Sequence, residues 1–136
     1  MTSSHPLLDQ ARAARDHAYA PYSHFHVGAA VRSRDGRIFT GCNVENASYG
    51  LTSCAERNAL AAAVAAGCKP GDLVEIAIIG DTDGPISPCG ACRQCMRELG
   101  GDALHITLAN LHGDIHHTTI EQLLPGAFTL TAEPAA

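Results

Sequence analysis

Three cysteines and one glutamate have the types and the spacing of a reactive zinc site. Cys54 and Glu56 belong to the segment Cys-Ala-Glu-Arg, whereas Cys89 and Cys92 belong to a separate Pro-Cys-Gly-Ala-Cys segment. Three thiolates around a tetrahedral ion leave its fourth position open for water, unlike the four protein ligands of a structural zinc site. Glu56 is close enough in sequence to reach that water and carry its protons. The pattern predicts a catalytic zinc ion held by Cys54, Cys89 and Cys92.

Both halves of this site are predicted to lie at the starts of helices. Ser53 can cap a helix that extends to about residue 66, and a helix at residues 90–99 follows an apolar strand at residues 73–79. In an open α/β sheet, ligands bind beyond the carboxyl ends of the strands, where loops lead into the next helices. The positive ends of two helix dipoles would then face one metal ion and favour thiolates.

The remaining pattern predicts an α/β fold, namely a three-layer α/β/α sandwich with a mixed sheet. A first helix at residues 6–20 is expected behind Ser4 as its cap, and Pro21 is expected to stop it. Alternating residues around an Asp-Gly turn predict an antiparallel hairpin. The alanine-rich middle helix is apolar almost all round, so burial on several sides is expected. The later strands are predicted at residues 104–109 and 114–117.

Length and composition predict one cytoplasmic domain that spans residues 1–136. The 136-residue chain has a formal net charge of -5, and its nine Lys and Arg residues are scattered singly, so no basic patch favours nucleic acid. Neither a bilayer-spanning apolar run nor a signal-peptide pattern is present, which argues against a membrane. Six cysteines in a reducing compartment indicate metal or redox chemistry. Residues 131–136 are expected to be frayed.

Two other uses of the cysteines remain open. A closed structural zinc site would add Cys95 to the three thiolates, although helical rotation carries Cys95 away from the face that Cys89 and Cys92 share. A redox dithiol would use Cys89 and Cys92 alone, and it would leave Cys54 and Glu56 without a role.

Residue chemistry alone says less about the neighbouring side chains. Arg57 can donate to the ligand sulfurs and offset the negative charge of three thiolates on one dication. Asn43 and Glu45 are equally consistent with a turn and a solvated acid, or with a polar pair beside the crevice. Phe25 is typical of a core residue, and His117 is typical of a solvent-facing strand residue.

Five segments, in order along nearly the whole chain, resemble the blocks of the cytidine deaminase family. The resemblance implies a cytidine deaminase-like fold and hydrolytic deamination of cytidine and deoxycytidine to uridine and deoxyuridine in pyrimidine salvage. It implies one zinc ion per subunit, which activates a hydroxide, and Glu56 as the proton shuttle. The segments are residues 22–30 (YSHFHVGAA), 41–50 (GCNVENASYG), 54–57 (CAER), 87–94 (SPCGACRQ) and 123–128 (LLPGAF).

The resemblance also implies roles for residues around the metal. Asn43 and Glu45 are implied to bind a ribose hydroxyl, and Phe25 is implied to pack on the pyrimidine ring. The backbone amide of Ala55 and carbonyl groups near Ser87 are implied to read the base. Together these assignments describe a site for a free nucleoside.

The short members of the family, with three cysteine ligands, are the most similar to this chain. They imply a homotetramer, in which residues of one subunit reach the site of a neighbour. Ala47, Tyr49 and Phe128 are the residues implied to make that contact. The histidine-rich residues 111–117 match none of the family's blocks.

Three other functions are compatible with parts of the pattern. A deaminase for another cytosine-like compound, such as blasticidin S, shares the cysteine segments, but the pair Asn43 and Glu45 argues for a ribose. A polynucleotide deaminase needs a basic channel, which the acidic balance does not provide. A structural zinc protein that merely binds a nucleoside would leave Glu56 without a purpose beside an open coordination position.

Overall fold

A mixed five-stranded sheet forms the centre of the computed structural model, which describes residues 5–130. The strands are ordered β2-β1-β3-β4-β5, with β3 and β4 parallel and the other neighbours antiparallel. Because β1 is antiparallel to both β2 and β3, the carboxyl ends of β2, β3 and β4 lie along one edge of the sheet. The strands are β1 (Val27–Ser33), β2 (Ile38–Cys42), β3 (Leu73–Gly80), β4 (His105–Ala109) and β5 (Ile115–Thr119).

Two layers of helices cover the sheet, which confirms the three-layer α/β/α sandwich. In the described part of the chain these helices are α1 (Pro6–Arg15), α2 (Ala55–Ala65), α3 (Gly90–Gly100) and the short α4 (Ile120–Leu123). α1 packs over small residues such as Ala30 and Ala77 on one face. α2 and α3 pack on the other face over Ile76, Ile78 and Ile106. None of these helices is long and apolar enough to cross a membrane.

The first helix is shorter than expected, because the chain after it pairs with a distant loop. α1 ends at Arg15 rather than near residue 20, and Tyr19 forms a parallel bridge with the loop that follows β2. This contact joins segments that are far apart in sequence, so the helical periodicity does not reveal it. Ser4, the expected cap, and the expected fraying of residues 131–136 both lie outside the described residues.

The second helix begins after Cys54 and is buried on one side only. Cys54, and not Ser53 as expected, occupies the N-cap position of α2. The inner face of α2 is fully packed, whereas its outer face carries exposed apolar side chains such as Val64, which is 46% exposed. The expected burial on several sides is wrong for a single chain, because the sheet and α3 cover only the inner face.

Gly41 allows β2 to approach the start of α2 closely. A Cβ atom at this position would lie 2.4 Å from the backbone nitrogen of Ala59 and 2.5 Å from the backbone oxygen of Ala55. Both neighbours are backbone atoms of one helix, so a side chain could be accommodated only by moving that helix. Gly41 therefore sets how far the Cys54 end of α2 lies from the sheet.

Gly41→Ala is expected to lower the free energy of unfolding by about 2–3 kcal/mol, because overpacking of a close contact forces the backbone to shift. Thermal or denaturant unfolding of the two proteins measures this difference. Gly84→Ala is the matched control, because a Cβ atom there would meet nothing within 4 Å. Equal unfolding midpoints for the two variants would show that α2 accepts the methyl group without strain.

Candidate metal centre and active site

The side chains of Cys54, Cys89 and Cys92 form a cluster at the edge where β2 and β3 end. Each of their sulfur atoms lies within 4.8 Å of the others. Among residues 5–130, this is the only group of three or more histidine, cysteine or acidic side chains close enough to share a metal ion. Cysteine sulfurs at this separation are suited to zinc.

The starts of two helices bring the sulfur atoms together. Cys54 is the N-cap of α2 and Cys89 is the N-cap of α3, both with extended backbone and without a side-chain capping bond. Cys92 lies in the first turn of α3 and is buried. The positive ends of both helix dipoles therefore face the cluster, where they stabilise negative charge on sulfur.

Arg57 and shared hydrogen bonds determine the charge of the cluster. Arg57 Nη2 donates to Cys54 Sγ across 3.4 Å, and Arg57 Nε is buried without a hydrogen-bond partner in the described structure. Hydrogen bonds, first from Cys92 and then from Arg57, lower the pKa of Cys54 to about 5. The bond to Cys54 and burial raise the pKa of Cys92. The hydrogen bonds and the Arg57 charge thus favour negative charge on Cys54, where a cation would bind.

Glu56 lies in the first turn of α2 and is only 5% exposed. Burial raises the pKa of Glu56 above its usual range, and the negative charge of Cys54 adds to this effect. A raised pKa makes a carboxyl group a better proton acceptor than an ordinary exposed acid. Glu56 therefore has the electrostatic properties of a proton carrier beside the sulfur cluster.

A cavity of about 200 Å³ opens beside the cluster and collects most of the predicted site residues. Glu56, Cys54 and Cys89 all line this cavity, so the carboxyl group and two of the cysteines border the same space. Four of the residues predicted to touch a nucleoside are also on this wall. The cavity is lined by Phe25, Val27, Asn43, Thr52, Cys54, Ala55, Glu56, Ile86, Ser87 and Cys89.

Asn43 holds the segment that forms one wall of this cavity. Its Oδ1 accepts a hydrogen bond from the Val27 backbone nitrogen across 2.9 Å, and its Nδ2 donates to the Phe25 carbonyl across 2.7 Å. Each of these side-chain groups retains the capacity for a further hydrogen bond. Asn43 thus fixes Phe25 at the cavity and still has polar groups for a ligand.

Glu45 lies in an adjacent pocket of about 230 Å³ and not in the cavity itself. Its carboxylate accepts hydrogen bonds from the backbone nitrogens of Tyr22 and Ser23, at 3.0 and 3.1 Å, and from the Ser23 hydroxyl. Thr52 lines both the pocket and the cavity, so the two spaces are neighbours. A ligand that extends past Thr52 would approach Glu45.

Three predicted residues do not reach the cavity of their own chain. Tyr49 and Phe128 are 79% and 70% exposed, and Ala47 is also exposed. Tyr49 lines the adjacent pocket that holds Glu45, whereas neither Ala47 nor Phe128 lines it. The structure therefore does not bring these three side chains to the sulfur cluster within one subunit.

Cys95 is not part of the sulfur cluster. It is partly buried and packs against the apolar core between the sheet and the helices. The four-sulfur arrangement of a closed structural site is therefore not formed in the described structure.

Arg93 is a site residue that the sequence reasoning missed. Its guanidinium donates to the Pro88 carbonyl at 2.8 Å, the Ser87 hydroxyl at 2.8 Å and the Leu123 carbonyl at 2.7 Å. These bonds hold the loop before Cys89 against α3 and against the segment after α4. An arginine in the first turn of a helix opposes the helix dipole, and this was the available sequence signal.

The fold and the site define a class of protein, namely an α/β enzyme with three cysteine sulfurs and a buried glutamate beside one cavity. The family model described as the cytidine and deoxycytidylate deaminase zinc-binding region matches residues 1–108. The chain belongs to this family and is a zinc-dependent cytidine deaminase by class.

Individual deaminases that resemble this chain support its assignment to the family. The cytidine deaminase of Halalkalibacterium halodurans is 53% identical over 123 residues, which cover 90% of this chain and 92% of that protein. The solved cytidine deaminase of Burkholderia pseudomallei has a TM-score of 0.91 and 57% identity, covering 93% of this chain and 100% of that one. A blasticidin-S deaminase of Bacillus cereus is 32% identical over 111 residues, 76% of this chain and 77% of that protein.

Proposed function

We propose that this chain deaminates cytidine and deoxycytidine to uridine and deoxyuridine, as a step of pyrimidine salvage in the cytoplasm. The observation that carries the proposal is that Glu56, Cys54 and Cys89 line one cavity, with Cys92 in the same sulfur cluster. The relatives named as cytidine deaminases, at 53% and 57% identity, support cytidine over blasticidin S, whose named deaminase is 32% identical. A reducing cytoplasm would keep the thiols available for a metal.

The three sulfurs are proposed to hold one zinc ion per subunit. Thiolates are preferred zinc ligands, and three of them leave one position open toward the cavity. The guanidinium of Arg57 supplies positive charge against Cys54, and its unpartnered Nε can serve a further sulfur. Zinc bound here would act as a Lewis acid and activate water for attack on carbon 4 of the pyrimidine.

Glu56 is proposed to move the protons of the reaction. It would accept a proton from the attacking water and pass it to ring nitrogen 3, and then accept the remaining hydroxyl proton on carbon 4 and pass it to the amine, so that ammonia leaves as the carbonyl forms. Burial of the carboxyl group keeps bulk water from exchanging these protons during turnover. A single acid can serve each transfer because the water oxygen, nitrogen 3 and the amine nitrogen are all bonded to carbon 4 in the intermediate.

The remaining wall residues are proposed to bind the nucleoside. Phe25 would pack on the ring, while the Ala55 amide and the carbonyl of Ser87 would read its polar edge. With the base in the cavity, the sugar would extend past Thr52, where Asn43 and Glu45 offer polar groups on either side. The two neighbouring spaces thus fit a nucleoside better than a free base.

Ultraviolet absorbance assays with cytidine, deoxycytidine, cytosine and blasticidin S test the proposed function. Zinc content is determined on the same samples, so that lack of activity cannot be attributed to lack of metal. We expect loss of the cytidine and deoxycytidine bands only. Zinc-replete protein that leaves both nucleosides unchanged would overturn the proposal and the ribose roles of Asn43 and Glu45.

Arg93→Ala is expected to lower kcat/KM for cytidine by about 100-fold, because small displacements of a substrate-positioning loop have effects of this size. Arg93 contributes no ligand atom to the sulfur cluster, so most of the zinc is expected to remain bound. Arg97→Ala is the matched control, since Arg97 lies one turn further along α3 and pairs with the exposed Asp102. Similar kcat/KM values for the two variants would contradict the loop-positioning role.

Arg57→Gln is expected to retain zinc but to lower kcat by about 10–100-fold, the usual effect of removing a residue that supports metal ligands. Without the guanidinium, the negative charge of three thiolates would be offset less completely. The pH profile of kcat is expected to shift as the charge at the thiolates changes. Steady-state assays between mildly acid and alkaline pH measure both kcat and its pH profile. An unchanged rate and profile would remove Arg57 from the metal centre.

We further propose that the 136-residue chain forms one domain and assembles as a homotetramer. The exposed apolar outer face of α2 and the exposed side chains of Tyr49 and Phe128 offer surfaces for other copies. Ala47, Tyr49 and Phe128 would then contact a neighbour's nucleoside site. Light scattering combined with size-exclusion chromatography gives the mass, and a fully active monomer would refute shared sites.

We propose neither a nucleic acid nor a membrane as a partner, because a net charge of -5 does not favour binding to nucleic acid or to an anionic membrane.

A further inference from the structure

Histidines from two strands meet on the face of the sheet opposite the sulfur cluster. His105 begins β4, and His117 lies on β5 in register with Thr107. His105 is paired with Glu75 near the start of β3, whereas the cysteines lie beyond the carboxyl end of that strand. His117 belongs to the histidine-rich segment that the deaminase site does not use.

The two imidazole rings are placed as ligands of one ion would be. His105 Nε2 and His117 Nδ1 are 3.1 Å apart, and the ring centroids are 5.1 Å apart. Two nitrogens bound to one metal ion at about 2.1 Å, with an angle between about 90° and 109°, are separated by roughly 3.0–3.4 Å. The separation of the two histidine nitrogens lies within this range without any movement of the rings.

Further polar groups lie beside the pair. Thr107 Oγ1 lies 3.2 Å from His117 Nδ1 and donates to Glu75 Oε2 across 3.3 Å. Arg32 binds the other oxygen of that carboxylate at 3.2 Å. The carboxylate of Glu75 places negative charge near the pair, which favours a cation there, and Arg32 offsets part of that charge.

There is also space for further ligands. A pocket of about 130 Å³ is lined by His5, Glu75 and Thr107, among others, and is large enough for several waters; it lies next to the pair, since Thr107 contacts His117, although neither His105 nor His117 lines it. The ring of His5, which precedes α1, has its centroid 5.9 Å from that of His117. Water would complete the coordination, because residues 5–130 place no third histidine, cysteine or acidic ligand close enough to share an ion with this pair.

We propose that His105 and His117 form a second metal site, for a late first-row divalent cation such as zinc, nickel or copper. Imidazole nitrogen favours these ions, whereas magnesium and calcium prefer oxygen ligands. Within residues 5–130, β5 is an edge strand that pairs with β4 alone. An ion bound by both histidines would link β5 to β4 and stabilise the edge of the sheet. The proposal does not depend on the reaction at the cysteines.

Calorimetric titration of the zinc-loaded enzyme with additional zinc chloride tests the second site. We expect one further equivalent to bind, with a dissociation constant below about 1 mM, and the unfolding temperature to rise with zinc concentration. His117→Ala and His105→Ala are each expected to weaken this binding by at least about tenfold. Deamination of cytidine is expected to be unchanged in both.

His116→Ala is the matched control, because neighbouring residues of a strand point to opposite faces and His116 is also exposed. It is expected to bind the second equivalent as the unmodified enzyme does. Failure of the unmodified enzyme to bind more than one zinc ion would show that the two nitrogens share a hydrogen bond only, and would overturn the proposal. Undiminished binding in both His105→Ala and His117→Ala would overturn it as well.

Discussion

Glu56→Gln is expected to leave the fold and the zinc content unchanged and to lower kcat for cytidine by about 10⁴-fold. General acid–base catalysis contributes about 10²–10⁴-fold, and we expect the upper end because one carboxyl group serves every proton transfer. The amide of glutamine has nearly the same volume, so it fills the same buried position. It cannot accept and release a proton, and the chemical step loses its carrier.

The experiment compares Glu56→Gln with Glu98→Gln at equal zinc content. Glu98 is an exposed residue of α3, so its replacement changes the net charge by the same amount without touching the cavity. Metal analysis, circular dichroism and the initial rate of cytidine loss are measured on each protein. A zinc-loaded Glu56→Gln protein with more than about a tenth of the normal kcat would exclude general acid–base catalysis by Glu56, since that contribution is at least about 10²-fold.

The chemical centre of the site was predictable because its parts are short and local. The Cys-Ala-Glu and Pro-Cys-Gly-Ala-Cys segments each lie within one helix start, where spacing alone determines which side chains share a face. The order of helices and strands was likewise predictable from hydrophobic periodicity. The structure places Cys54, Cys89 and Cys92 together as the spacing predicts.

Contacts between distant segments were not predictable in this way. The end of α1 depends on the pairing of Tyr19 with the loop after β2. The hydrogen bond from Arg93 to the Leu123 carbonyl depends on where α4 returns to α3. The meeting of His105 and His117 depends on the register between β4 and β5. Each of these requires the assembled sheet, and no local pattern in the sequence encodes it.

The distribution of the nucleoside-binding residues was only partly predictable. The family resemblance implies that Asn43 and Glu45 both bind a ribose hydroxyl. In the structure Asn43 lines the cavity and Glu45 lines the adjacent pocket. Both side chains also hold the segment that contains Phe25 through hydrogen bonds to its backbone. Their side chains therefore stabilise the cavity wall whether or not a ligand is present. Substitution of either residue would alter the position of Phe25 as well as any contact with a sugar.

Replacement of Cys54, Cys89 or Cys92 by alanine is expected to remove zinc and turnover together. Loss of one of three protein ligands leaves two, which is fewer than zinc enzymes use. Zinc is measured after dialysis against a weak chelator, and activity is measured before and after zinc is added back. We expect less than about a tenth of the normal zinc content, since even supporting residues change affinity by 10–100-fold.

Cys95→Ala is the variant that distinguishes an open site from a closed one. Its side chain packs against the core outside the sulfur cluster, so the replacement should retain zinc and lower only the unfolding temperature. Cys89 is the matched comparison on the same helix, because it is exposed and its loss should leave the core intact. Retention of zinc in Cys95→Ala and its loss in Cys89→Ala would establish three protein ligands and an open position for water. Loss of zinc in both would instead mean that Cys95 turns inward when metal binds, and a four-thiolate site has no room for the proposed chemistry.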